Sequence, residues 1–442
     1  MTWSKITAGA MGVVMANPFE KRATEYLRDN AAFLSVVAPE PLHTFFEKPA
    51  TAGSLYDRLC MVIGTPGSGK TTIATLLQYG SVHTLLNSPN HTDYRALQKA
   101  LISCKVVEPD KVLVLGCRIP MESEYREFWE LPYSETIKFG LLKSFLQSRT
   151  VISWLNSLRS TYSLKDIKIA YREGADVVQE TIGGDNAEKV LQQAKHVERA
   201  IYSVCAALVP PKEAQLPELS TAPYHPFDAI QEIMIPDGEG YRALTPLVML
   251  DDVHSLHPDQ LFRMRDWLAK REMRIARWML MRLDAQTPEA VITGISANAA
   301  VDADSTIKKS REITPIWLQS GSDIDRGTSR KKFRVMAKSM AEKYLRLMPV
   351  FSRLGMFKLQ DILNTQPAEI SDSNYQKLVE KVKSFEARSG ISPTIRKDLE
   401  HQVEAYNSGI STIKLGRDEK LAMLYIMLNR YVKRVPQAGL FD

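Results

Sequence analysis

Leu59-Cys60-Met61-Val62-Ile63-Gly64-Thr65-Pro66-Gly67-Ser68-Gly69-Lys70-Thr71-Thr72 is the stretch that decides how the chain is read. An apolar run enters a glycine-rich turn, and Ile73-Ala74-Thr75-Leu76-Leu77 leads out with helical apolar spacing. The turn fills every fixed position of G-x-x-x-x-G-K-[ST], the phosphate-binding loop, in the strand–loop–helix setting that motif requires. Gly64, Gly67 and Gly69 free the backbone for close wrapping and positive φ. The loop residues Gly64, Thr65, Pro66, Gly67, Ser68, Gly69, Lys70, Thr71 and Thr72 are expected to cradle the phosphates, with the backbone N–H groups converging on their oxygens. Lys70 is expected on the β- and γ-phosphates. Thr71 is expected to place its hydroxyl on Mg²⁺. ATP and Mg²⁺ are the cofactors this implies.

Downstream, Leu247-Val248-Met249-Leu250 runs into Asp251-Asp252. Four apolar residues followed by two acids form the Walker B pattern, which gains force from the complete phosphate loop upstream. A carboxylate at a strand's C-terminal end holds Mg²⁺ directly or through water, and Asp251 is assigned that role. Asp252 is assigned to polarise the attacking water. In folds that resemble this pattern a polar residue near the end of the strand expected over 275–283 reports on the γ-phosphate; Arg282 and Asp284 are the candidates, and Arg282 is preferred. Lys70, Asp252 and Arg282 are thus the catalytic candidates, and Thr71 and Asp251 the metal ligands.

Further apolar runs place the remaining elements. Lys111-Val112-Leu113-Val114-Leu115-Gly116-Cys117-Arg118 reads as a strand buried on both faces, ending near where ligands bind in open α/β sheets. Residues 121–241 show no obvious strand, with helices expected over 137–146, 151–158 and 186–208. A weaker strand is expected at 291–294. Helices are expected over 333–357, 371–389, 392–406 and 418–435. Upstream, Asn17-Pro18-Phe19-Glu20 has the look of a helix start. The expected organisation is an N-terminal arm (1–50), the first part of the core (51–120), a mostly helical insertion (121–241), the second part of the core (242–300) and a helical C-terminal region (301–442). The fold class is α/β: a three-layer P-loop core with a parallel sheet.

Composition sets the bounds. The chain has 442 residues, 44% hydrophobic and 24% charged, which suits a globular protein of more than one domain. Its four cysteines, Cys60, Cys104, Cys117 and Cys205, have neither C-x-x-C nor zinc-ligand spacing, and a reducing cytoplasm fits them. No apolar run reaches the ~20 residues of a membrane span. The net charge of +6 is mild, but basic residues cluster at Arg263, Arg265, Lys270, Arg271, Arg274 and Arg277, and again at Lys308, Lys309, Arg311, Arg326, Arg330, Lys331, Lys332 and Arg334. Such clusters make duplex DNA the alternative partner. A solvated helix face explains them equally well.

The phosphate loop, the strand ending Leu115-Gly116-Cys117-Arg118, the Leu250-Asp251-Asp252 strand end and the helical C-terminal region resemble the AAA+ superfamily of ATPases. Within it the chain is most similar to the origin-recognition type and to the signal-transduction ATPases with numerous domains (STAND). The arm, followed by Leu55-Tyr56-Asp57-Arg58, looks like stand-alone bacterial ATPases of antiphage defence operons. The resemblance implies a subunit-shared active site and regulated self-association; the expected role is an ATP-driven switch that controls a partner effector such as a nuclease. Asp252, where the usual AAA+ pattern has Glu, resembles the signal-transduction branch and implies slow or partner-regulated hydrolysis. The alternative is an initiator or transposition-type ATPase that loads on duplex DNA.

Overall fold

The computed structural model describes residues 29–88, 94–282, 312–318, 326–355, 357–358, 372–409 and 415–434. The helix start at Asn17, the strand expected at 291–294, Asp284, Lys308, Lys309, Arg311 and the residues from 435 onward lie outside them. The contacts divide the chain into two units, Met1–Met348 and Pro349–Asp442.

The first unit is built on a seven-stranded sheet: β1 (Leu59–Gly64), β2 (Val114–Pro120), β3 (Lys168–Tyr171), β4 (Ile230–Asp237), β5 (Gly240–Asp251), β6 (Ala276–Arg282) and β7 (Ile313–Trp317). The order is β3-β4-β5-β6-β1-β7, with β2 also paired to β5. The sheet is mixed, which corrects the expectation of a parallel one. β1, β2, β5, β6 and β7 pair in parallel, whereas β3–β4 and β4–β5 are antiparallel. Every residue of β1 is buried, as are 247–251 of β5 and all of β6 before Arg282. Parallel strands buried in this way need cover on both faces, and their continuous apolar runs reflect that.

β3 and β4 lie inside the segment read as free of strands. They escaped because neither has a clean apolar run: the β4 sequence Ile-Gln-Glu-Ile-Met-Ile-Pro-Asp interleaves buried isoleucines with polar and partly buried residues, and β3 has four residues. β5 is correspondingly longer than the apolar run at its end. Its first part pairs with β4 and its second part with β2 and β6. Pro246, which has no N–H for a ladder bond, sits where the partners change. β7 was also missed. It is five residues long with Pro315 at its centre, and among the described residues it pairs only with β1, as an edge strand tolerates.

The helices fit the sequence more closely. α1 (Lys70–Leu76) follows β1, and α2 (Tyr79–Leu86) and α3 (Tyr94–Ser103) lead towards β2. The two apolar stretches at 137–146 and 151–158 are one 25-residue helix, α4 (Glu135–Arg159). α5 (Ala187–Cys205) packs along it and is capped by Asn186, whose side chain accepts from the amides of Glu188 and Lys189. The turn before it holds Gly183 and Gly184 at φ 116 and 85. α6 (Pro258–Leu268) opens with His257 and Gln260 in a reciprocal cap. α7 (Arg326–Leu347) closes this unit. The helical turn Leu42–Phe46 stacks Phe46 on Trp278 of β6 at 5.2 Å between centroids, so the segment before the phosphate loop covers the sheet.

The second unit contains α8 (Asp372–Ser389), α9 (Pro393–Gly409) and α10 (Arg417–Arg434). Their shared core is Val382, Leu399, Val403, Leu424 and Leu428. Among the described residues no helix is long and apolar enough to cross a membrane.

Candidate functional site

β1 delivers the glycine-rich loop to the C-terminal edge of the sheet. Gly67 and Gly69 adopt φ 79 and 90, the left-handed conformation that favours glycine. Gly64 is required for another reason: a Cβ there would lie 2.3 Å from Ser68 Oγ. The loop therefore closes on itself tightly. Ser68 N donates to Thr65 O at 3.1 Å, and Ile73 N to Gly69 O at 2.9 Å, which starts α1. Ser68 Oγ is buried without a hydrogen-bond partner among the described residues. Lys70 is 6% exposed, with Nζ donating to the carbonyls of Gly64 at 2.8 Å and Thr65 at 3.0 Å. Thr71 and Thr72 sit in the first turn of α1.

Asp251 ends β5 and is fully buried. Its Oδ2 accepts from Arg118 Nε at 2.8 Å, and its Oδ1 from the Asp252 amide at 3.1 Å. The Met121 amide donates to the Asp251 carbonyl at 2.8 Å, tying the end of β2 to the same point. Asp252 leaves the strand with φ 58, a left-handed conformation that Asp tolerates better than most residues. Its carboxylate lies 3.8 Å from His254 Nδ1 and is partly exposed.

β6 lies between the loop strand and the acid strand. Register sets Arg282 opposite Gly64 on one side and Met279 opposite Leu250 on the other. Lys70, Asp251, Asp252 and Arg282 are thereby gathered at one end of three adjacent strands, where open α/β sheets bind ligands. The loop's buried orphan hydroxyl, its positive-φ glycines and its folded lysine fit a phosphate group. Asp251 and Thr71 offer the hard oxygens that Mg²⁺ takes.

Two residues of β2 read differently from the sequence expectation. Gly116 does not end the strand. It is mid-strand, and a Cβ there would meet Leu77 O at 2.0 Å, so it admits the close bridge between Gln78 and the strand. Arg118 was noted only as a strand end, and its contact with Asp251 was not foreseen. The signal was available as a lone charge on an otherwise buried strand, since such a charge needs a partner.

Two arginines of the first basic cluster are folded into the core, and two more form ion pairs at the surface. Arg277 is 2% exposed and donates to the carbonyls of Leu268, Asp57, Ile275 and Lys270. Arg265 is equally buried and pairs with Asp266. Arg263 pairs with Glu135, and Arg271 with Glu312.

No family model matches the chain, and no curated protein matches it.

Proposed function

We propose that the chain is a P-loop ATPase with a three-layer core of AAA+ character, which uses Mg²⁺ and ATP to control its self-association and a partner effector. The observation that carries this reading is the closed loop on β1, with Lys70 folded onto its own carbonyls, beside a strand that ends in a fully buried aspartate. Lys70 would leave the Gly64 and Thr65 carbonyls for the β- and γ-phosphates, because a charged phosphate oxygen is the stronger acceptor. Thr71 and Asp251 would hold the metal, and Asp252 would orient the attacking water. Arg282, level with Gly64, would sense the terminal phosphate. When bound, Mg–ATP supplies the phosphoanhydride whose terminal phosphoryl passes to water. The proposed setting is a reducing cytoplasm, and antiphage defence is the proposed context by resemblance.

A duplex-DNA-loading ATPase is the second reading. What favours it is the start of α7, where Arg326, Arg330, Lys331, Lys332 and Arg334 fall within nine residues.

Equilibrium binding of a fluorescent ATP analogue to wild type and Lys70→Ala, with Mg²⁺ or with EDTA, tests the first reading. Binding that Lys70→Ala leaves intact would end it. Mass measurement with and without ATP tests the switch, and ATPase rates with and without duplex DNA at low salt test the second reading.

A further inference from the structure

We infer that Arg118 is a positioning residue of the metal site, which holds Asp251 by one oxygen and sets how strongly that carboxylate takes a divalent cation. The inference rests on the nucleotide reading above and assigns it a residue from a strand that reading does not use. Asp251 is 0% exposed, and a carboxylate so buried needs a counter-charge and donors on its oxygens. Both are present: Arg118 Nε on Oδ2 at 2.8 Å and the Asp252 amide on Oδ1 at 3.1 Å. Register explains the reach. Pro120 lies opposite Asp251 and Arg118 opposite Met249, so the arginine side chain extends two residues towards the C-terminal edge of the sheet. Arg118 itself is 26% exposed, against none for its partner, so the pair spans the boundary between core and edge.

Two consequences follow for Asp251. The guanidinium on Oδ2 obstructs a two-oxygen grip on a cation and leaves Oδ1 as the ligand. Its charge also lowers the attraction between the carboxylate and a dication. Arg118 therefore weakens the metal site while keeping the buried acid in place. An arginine that merely braced Asp251 would act in the opposite direction, because its removal would loosen the ligand and raise the metal requirement.

The test is a Mg²⁺ titration of fluorescent ATP-analogue binding to the full chain, comparing wild type, Arg118→Gln and Arg118→Lys. The Mg²⁺ concentration for half-maximal binding should fall by about tenfold in Arg118→Gln, the size expected for removing one unit charge from beside a dication in a screened site. It should stay within about twofold of wild type in Arg118→Lys, which keeps the charge. Thermal unfolding of the nucleotide-free protein provides a second readout. Arg118→Gln should lose stability that Arg118→Gln/Asp251→Asn recovers, since the double variant removes both charges. Should Arg118→Gln not fold, Arg118→Met, which removes the charge and keeps most of the side-chain length, makes the same comparison. Its metal requirement should fall below that of wild type. An unchanged or higher requirement in Arg118→Gln, or an equal shift in Arg118→Lys, overturns the inference while nucleotide binding stands. Absence of Lys70-dependent binding in wild type overturns the nucleotide reading instead, and this inference with it.

Discussion

The indole N–H of Trp154 donates to the carbonyl of Leu247 at 3.0 Å, joining the C-terminal part of α4 to the strand that ends in Asp251. Trp154 is fully buried and packs on Phe227. The inserted helices are therefore bound into the sheet and share its core.

Trp154→Phe should destabilise the first unit by about 1–2 kcal/mol through loss of the hydrogen bond and some volume. Trp154→Ala should cost about 3–5 kcal/mol. Denaturant unfolding followed by far-UV circular dichroism checks both values. Equal effects from the two variants would mean that packing contributes nothing beyond the bond.

Gly64 and Gly67 should respond to alanine for different reasons. At Gly64 the added Cβ meets Ser68 Oγ at 2.3 Å, so Gly64→Ala should cost about 1–3 kcal/mol, and Gly64→Ala/Ser68→Gly should recover part of it. At Gly67 no atom lies within 4 Å of the Cβ position, but φ is 79. Gly67→Ala should therefore cost about 1–2 kcal/mol, with no rescue by Ser68→Gly. Thermal shifts of the four variants separate crowding from backbone strain.

Asp252→Asn keeps a residue suited to φ 58 and removes the carboxylate. Stability should stay within about 0.5 kcal/mol of wild type. Single-turnover hydrolysis of bound ATP should fall by about 10²–10⁴ if Asp252 polarises the water. An unchanged rate would remove Asp252 from the chemistry.

The thiols should be poor nucleophiles. Burial pushes Cys60 and Cys104 up to about 12 and raises Cys117 further in the same direction. Cys205 is also pushed up to about 12, first by burial and then by Glu127 and Glu124, but it is less enclosed than the other three. A chromogenic disulfide reagent at pH 8 should label Cys205 first and the other three at the rate of unfolding. Early labelling of Cys60 would contradict the enclosure of β1.

Acid should weaken the first unit through its histidines. Burial lowers His225 below the ordinary histidine value of 6.5, Asp228 opposes the shift, and Lys143 and Lys270 add to it. Burial lowers His83 as well. A base whose folded pKa is depressed binds its proton more readily when unfolded. Its contribution to stability is therefore full above about 6.5 and is lost as pH falls through the folded value. The melting temperature should drop between pH 7.5 and 5, and His225→Gln should make that slope shallower.

The sequence carried the central strands because β1, the end of β5 and β6 are buried on both faces, which leaves unbroken apolar runs. The helices α5, α8, α9 and α10 were legible from spacing and caps. The strands that escaped are held by their neighbours more than by their own composition. β4 alternates with polar residues, and β7 carries Pro315 in an edge position that a central strand would refuse. At the site, the loop glycines were legible because their backbone conformations allow few other residues. The Arg118–Asp251 pair was not, because it depends on β2 and β5 lying side by side, 133 residues apart in sequence. In the first basic cluster the sequence shows charge but not depth: Arg265 and Arg277 are folded into the core.

One uninterrupted strand, β5, runs from the hairpin turn at Asp237–Gly240 to Asp251, about 36 Å at the usual rise per residue. The outer hairpin, fastened to the chain before β2 by Lys111 and Asp237 at 2.9 Å, and the buried acid are thus the two ends of one continuous backbone segment.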